Sequence, residues 1–407
     1  MLNAREKFGP YMWAPVVNNI AAIIGFLFLL AVFGSPTPAQ TQDITAWQGI
    51  RSTLLVIFST AGVAAQALVL FIPLHKAGIR YRPDFKWRGV GLGTAGRNSF
   101  WVLLTTFVGT IPVVVISNIN AAAFERGIAA GIDATKVAGN AAYTVAGSLY
   151  GLPISLIALS ITTATFTKVS RAAAAKNYRN VRIISAQTAN TLGIFNFLAV
   201  TLMIVLSYPL ARIFVPNGTM NEIDSLGRVL AVTAFAVIPG GAILAFKNIC
   251  YAFNATQGTF FMLLPAQIIN TCGALLCLGL PPQYTLIGIQ TVFIIANSTS
   301  LLLLAWYSRR LIGRIGGWYI LRTYLQLSVV AAISTIIGLV TMHFIGIVKI
   351  SANIGIAILT ILITSVIISL VYIILCKICR ISQIDQMIAA FKRLAGKVFS
   401  RSLAHRG

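Results

Sequence analysis

Ten apolar stretches of about 20 residues or more, none holding an Asp or Glu, constrain this 407-residue chain more than any other feature of its sequence. The eight acidic residues, Glu6, Asp43, Asp84, Glu125, Asp133, Glu222, Asp224 and Asp385, fall between those stretches or at chain ends. A segment of that length and apolarity crosses a bilayer as an α-helix, because only a helix satisfies its own backbone in hydrocarbon. The reading is therefore an all-α, polytopic helical membrane protein. With no carboxylate inside a span for proton or cation coupling, its chemistry rests on positive charge and neutral polar groups.

Hydrophobic residues make up 57% of the chain and charged residues 10%, well short of the roughly 25% charged content of soluble domains. The net charge of +23 does not imply nucleic acid. The basic residues flank apolar spans and are not interleaved with aromatics on a polar face, which is how membrane topology distributes them. Cys250, Cys272, Cys277, Cys376 and Cys379 sit in or beside the spans, where a thiol behaves as a small apolar group. Cys376 and Cys379 form a C-x-x-C beside Lys377 and Arg380 without a second pair or a His cluster, so the pattern reads as a helix end and implies neither a metal nor a cofactor.

The periodicity places helices at Met12 to Phe33, Ser52 to Leu74, Asn98 to Ala123, Ala141 to Thr163, Ile183 to Tyr208, Val229 to Ala252, Phe260 to Leu280, Thr285 to Trp306, Tyr324 to Phe344 and Ile354 to Leu375. Of the 31 Lys and Arg residues, 25 fall on one set of alternate loops and ends and 6 on the other. The positive-inside rule then puts both termini in the cytoplasm. The first span is too long for a signal-peptide apolar region and is expected to remain in the protein. Residues 1–377 form the expected membrane domain. In residues 378–407, Ile384, Met387, Ile388, Phe391, Leu394 and Val398 recur at helical spacing among Lys392, Arg393, Lys397 and Arg401. That segment reads either as an amphipathic helix on an anionic inner leaflet or as a solvated tail.

Helices one, three and four are richer in polar residues than helices nine and ten. Asn18 and Asn19 follow Pro15; Asn118 lies beyond Gly109 and Pro112; Ser148 lies in a helix broken by Pro153. Such groups either join the helices to one another or line a wet cavity, and the Gly and Pro breaks favour the cavity. Gly109 and Pro112 together predict a hinge. Arg97 opens helix three, and Lys168 and Arg171 close helix four. These cations read as topology determinants or as receivers of an anionic headgroup. Lys247, in the last turns of an apolar helix, either snorkels to the inner face or meets an anion in the cavity. His75, His343 and His405 are isolated, and the sequence holds no H-E-x-x-H, nucleophile elbow or Walker A loop, so no enzymatic constellation is legible.

Several segments together resemble the MurJ (MviN) lipid II flippases of the multidrug/oligosaccharidyl-lipid/polysaccharide exporter superfamily. They are the opening LNAREKFGPYMWAPVVNNI (Leu2 to Ile20), the loop GIRYRPDFKWRGVGL (Gly78 to Leu92), the run from Ala141 to Asn177, and the turn KNICYAFNATQGTFF (Lys247 to Phe261), which lacks the family's usual Asp and Pro. The resemblance implies fourteen helices in a two-lobed bundle, of which this chain would hold the last ten, with an incomplete N-lobe from truncation or an internal start. It implies alternating access that moves lipid II to the outer leaflet for peptidoglycan synthesis. Lipid II, anionic membrane lipids and cell-wall synthesis proteins are the partners it suggests. Helices nine and ten, with Ala331, Ala332, Ser334 and Gly338, would form a groove for the polyprenyl tail. A family cavity arginine aligns with Ser148 or a close neighbour. The alternatives are another exporter of the superfamily or a non-transporting relic or scaffold.

Overall fold

The computed structural model describes residues 8–34, 49–76, 92–345, 354–381 and 383–384. Every regular element among them is helical, and ten spans are long and apolar enough to cross a membrane. The chain is a multi-pass membrane protein, as its apolar stretches predict. Two compact units divide it, Met1–Val90 and Gly91–Gly407.

In the first unit α1 (Phe8–Phe33) pairs with α2 (Ile50–Val69), which continues after a one-residue interruption as α3 (Phe71–Lys76). Close approach rests on two glycines. A methyl at Gly62 would lie 2.4 Å from the side-chain oxygen of Asn18, and one at Gly25 would lie 2.6 Å from Phe58 Cβ. Small residues at such contacts let helices gain dispersion energy that lipid would otherwise match. Phe28 and Phe58 rings meet at 5.3 Å, tilted by 52°, on the same seam.

The second unit is organised around its two most buried spans. One is α7 (Tyr178–Val205); the other is α9 (Met220–Ala234) followed by α10 (Val237–Ala252). Pro239 lacks the amide that would bond to Phe235 and separates α9 from α10, while Gly240 N resumes the ladder on Ala236 O. Against this pair pack α5 (Asn140–Pro153) and α6 (Leu159–Ala174) on one side, and α11 (Thr256–Leu276) and α12 (Pro282–Ile312) on another. The long α4 (Leu92–Ala129) lies on α11 and α12. A second flank of α7 carries α13 (Gly317–Ile345), and α14 (Ile354–Ile378) packs on α13 and on the short α8 (Ser207–Phe214).

Glycines again set the closest contacts. Gly240 faces the Tyr150 hydroxyl, where a methyl would stand at 2.3 Å, and Gly241 faces the Asn196 amide at 2.2 Å. The Asn196 amide in turn reaches the Ile238 carbonyl at 3.5 Å.

The observed helices run past most of the predicted boundaries, because hydrogen bonding continues where hydrophobicity stops. At about 1.5 Å per residue the 38 residues of α4 extend about 57 Å, against about 30 Å of hydrocarbon. Glu125, Glu222 and Asp224 accordingly fall within helices, in end turns and not at mid-span. The predicted break at Pro153 is not a break. Pro153 leads into a π-helical turn, Ile154–Ala158, so the helix widens for one turn and goes on as α6. The predicted hinge residues Gly109 and Pro112 lie inside an unbroken α4. The loop at 78–91 and the amphipathic tail from Asp385 onward fall outside the described residues.

Two measurements follow from this architecture. Reporter fusions at Asp133 and at Lys176, which lie at opposite ends of the span they bracket, should report opposite faces of the membrane; signal from one face for both would overturn the ten-span order. Gly241→Leu should lower thermal stability by about 1–3 kcal/mol through overpacking on Asn196, read as a drop in the apparent Tm of the detergent-solubilised protein.

Candidate functional site

On helices three and four, several of the hydroxyls and amides lie on exposed faces and bond within their own helix. Thr106 bonds to Val102 O at 3.1 Å and Thr110 to Phe107 O at 2.6 Å on α4. Asn118 bonds to Val114 O at 2.9 Å. Beyond them, Thr144 and Ser148 each close on the carbonyl four residues back at 2.9 Å, as do Ser155 at 2.7 Å and Ser160 at 2.6 Å. All seven side chains are exposed. Each hydroxyl therefore spends its donor on its own helix and leaves only acceptor capacity to its surroundings, while the Asn118 amide retains a second N–H. These side chains do not join the helices to one another; they make a surface that accepts either water or hydrocarbon.

Spacing turns that surface into stripes. Thr144, Ser148 and Ser155 fall on one face of the helix, and on α6 the exposed Ser160, Thr163, Thr167 and Arg171 follow at intervals of three and four. The second stripe ends in a guanidinium. Other polar residues do join elements. Asn120 reaches Asn140 at 3.3 Å, and Asn140 reaches Ser117 O at 3.0 Å, fastening α4 to the start of α5. Asp133, in the preceding turn, accepts from both the hydroxyl and the amide of Thr135, which hold its carboxyl below the usual carboxylate range.

Three side-chain bonds fix the depth of the predicted cations. Thr256 donates to Asn98 at 3.0 Å and Asn98 to Asn254 at 3.3 Å, so Arg97 stands beside the turn between α10 and α11. Asn248 donates to Thr162 O at 2.9 Å, which sets α10 level with α6. These two helices run in the same direction, since they belong to the fourth and sixth spans. Six residues separate Thr162 from Lys168, so Lys168 lies about 9 Å beyond that level. Asn254 lies the same number of residues beyond Asn248, which puts Arg97 and Lys168 at one depth and Arg171 a turn further out. Lys247 is set about 10 Å deeper than Asn254 by its seven-residue separation. Its ammonium lies 5.6 Å from the centre of the Tyr251 ring, within cation–π range.

The candidate cations thus converge on one end of the second unit. Arg97, Lys168 and Arg171 are exposed there and Lys247 is half-buried. Asn18 and Asn19 belong to the first unit, where Asn18 is used against Gly62 and Asn19 is exposed. Ser148 and Asn118 lie away from the cationic end, on the neutral stretch. Gly109 has no neighbour within 4 Å of an added methyl, and Pro112 is buried.

The family model described as "Lipid II flippase MurJ" matches residues 1–363. The chain belongs to the MurJ family. A relative from Rickettsia prowazekii (strain Madrid E), described as a probable lipid II flippase MurJ, is 26% identical over 288 residues, which cover 67% of this chain and 48% of the relative. The chain spans about half the length of the curated relative it matches. A solved structure described as lipid II flippase MurJ in an inward closed conformation shares the fold with a TM-score of 0.58 at 20% identity, over 89% of this chain and 68% of that one.

The polarity of this MurJ-family chain lies deepest where the sequence did not point. The central α7 buries Ser185, Thr188, Asn190, Asn196 and Thr201. Asn190 is fully buried and neither of its amide atoms has a hydrogen-bond partner. The available signal was the count of small and polar residues between Ser185 and Asn196. A long apolar run in the same helix, beyond Asn196, outweighs it.

Asn98 supports a prediction here. Asn98→Ala removes the bonds that tie the start of α4 to α11 through Thr256 and to the α10–α11 turn through Asn254. It should cost about 1–3 kcal/mol and raise hydrogen exchange in the first turns of α4 ahead of the rest of the unit.

Proposed function

We propose that this chain acts in the translocation of lipid II from the inner to the outer leaflet of the bacterial cytoplasmic membrane by alternating access. Both termini then lie in the cytoplasm, and the amphipathic tail rests on the inner leaflet. The observation that carries the reading is the family match over residues 1–363, joined to the site geometry. A cationic end made by Arg97, Lys168, Arg171 and Lys247 opens onto the neutral stripes of α4 to α6.

The physical argument runs from the headgroup. A diphosphate that leaves water loses hydration worth many kcal/mol and must find cations or donors. Arg97 and the Lys168–Arg171 pair offer them at the membrane border, and Lys247 offers one about 10 Å deeper. From there the sugar moiety meets Thr144, Ser148 and Ser155, whose oxygens accept hydrogen bonds from its hydroxyls. Chemistry is not required, since no bond is made or broken in moving a lipid between leaflets. In this reading α4 bends at Gly109 and Pro112 as the cavity changes its opening.

Lys247→Glu tests the capture step. It places a carboxylate where the diphosphate passes, so binding of lipid II to the purified chain, measured by native mass spectrometry against a neutral lipid, should fall at least tenfold. Unchanged binding would remove Lys247 from the path. The hinge is tested separately: Pro112→Ala in a transport-competent protein should slow lipid II translocation in proteoliposomes while leaving binding unchanged. Equal rates would show that α4 moves as a rigid rod.

A further inference from the structure

A second site lies on the flank of the second unit, away from the polar stripes. Between α10, α12 and the start of α13 is a cavity of about 690 Å³, inside the size range of ligand sites. Its floor is apolar, with Phe246, Leu301 and Ile320, and its outer wall is open to the membrane, where Leu302 is 71% exposed and Trp318 is 74% exposed. Arg309 and Arg314 stand at its basic end. Among the described residues, no Asp or Glu lines it.

The cations of this rim are unopposed. Among the described residues the only ion pair is Arg228 with Asp224, in the acidic turn at the other end of the unit. Arg314 also forms part of a second cavity of about 540 Å³, with Arg179 and Arg182, on the other side of the α12–α13 turn. Gly313 and Gly316 give that turn φ values of 82° and 78°, which glycine adopts without strain. The turn thus holds Arg314 between two open spaces with no side chain crowding it from Gly316. Arg310 is engaged elsewhere, over the Trp306 ring at 3.9 Å.

Depth completes the argument. The span containing α12 ends at Ile312 and the next begins at Gly317, so Arg309 and Arg314 sit at the membrane border beside Trp306 and Trp318. Tryptophan and arginine at that level, above an apolar trough, match the three zones of a phospholipid: phosphate, glycerol and acyl chain. We propose that this cavity binds one anionic glycerophospholipid, with an acyl chain along Phe246, Leu301 and Ile320 and the phosphate between Arg309 and Arg314. The site is independent of the transported substrate. Its occupant wedges α13 against α10 and α12 and so bears on how firmly the α13–α14 pair is held.

Fluorescence quenching tests this with the full chain in delipidated micelles, using phosphatidylglycerol brominated on its acyl chains. Trp306 and Trp318 should be quenched saturably, and a Trp306→Phe/Trp318→Phe variant should lose that component. Brominated phosphatidylcholine should require about tenfold more lipid for the same quenching, and inorganic phosphate should not compete. Arg309→Gln/Arg314→Gln should bring phosphatidylglycerol down to the phosphatidylcholine level; Ala305→Phe, which fills the trough and spares the arginines, should abolish saturation for both. The proposal is overturned if the two lipids quench alike in the unaltered chain, if inorganic phosphate displaces the lipid, or if Ala305→Phe binds as the unaltered chain does.

Discussion

The constraint on which the rest of this structure depends is that a hydroxyl or amide in a membrane helix must find an acceptor without water. Most of the Ser and Thr side chains on α4, α5 and α6 solve it by bonding to a carbonyl three or four residues back in their own helix. Such a bond costs no partner helix and fixes no neighbour. A face built this way stays intact whether it meets hydrocarbon, water or a sugar. That indifference is what a surface needs if its surroundings change during each turnover, whereas a face held by interhelical bonds would have to break them each time.

Side-chain bonds between elements are placed where rigidity is useful. Asn98 with Thr256 and Asn254 secures one end of α4, and Asn120 with Asn140 secures the other, while Arg126 donates to the Leu278 carbonyl near that second end. Among the described residues, no side-chain hydrogen bond joins the middle of α4, with Gly109 and Pro112, to another helix. A long helix bonded by side chains at both ends and not between them can flex about its centre without losing register. The proposed bend thus falls where no interhelical side-chain hydrogen bond has to break.

The ten spans and the basic asymmetry of the loops were legible in the sequence because both follow from transfer energies summed over about 20 residues. Helix ends were not, since Glu125, Glu222 and Asp224 end an apolar window but do not end a helix. The π turn after Pro153 is not legible in the sequence, because composition shows the missing amide and not the carbonyl geometry that accommodates it. Of the site, the cations could be named from sequence, but their relative depth depends on Asn98, Asn248 and their partners 86 to 158 residues away. The buried polarity of α7 was masked by averaging, because Ser185, Asn190 and Asn196 share a window with strongly apolar neighbours.

Charge is distributed with depth in a way that limits how a phosphate can travel. Along α9 and α10 the first cation from one end is Arg228, already paired with Asp224, and the first from the other is Lys247. The 19-residue step from one to the other extends about 28 Å, close to the hydrocarbon thickness of about 30 Å. No Lys or Arg lies in that interval on either helix, and none lies between Arg97 and Arg126 on α4. An anionic headgroup drawn to Lys247 therefore finds no deeper cation on these helices to pull it onward. A fixed ladder of positive charge would hold a diphosphate tightly at every rung and slow its release. In the proposed translocation, a cationic mouth followed by a neutral, acceptor-rich wall would instead favour entry at one border and leave the crossing to movement of the walls around a weakly held substrate, the condition alternating access would impose on a carrier of a doubly charged lipid.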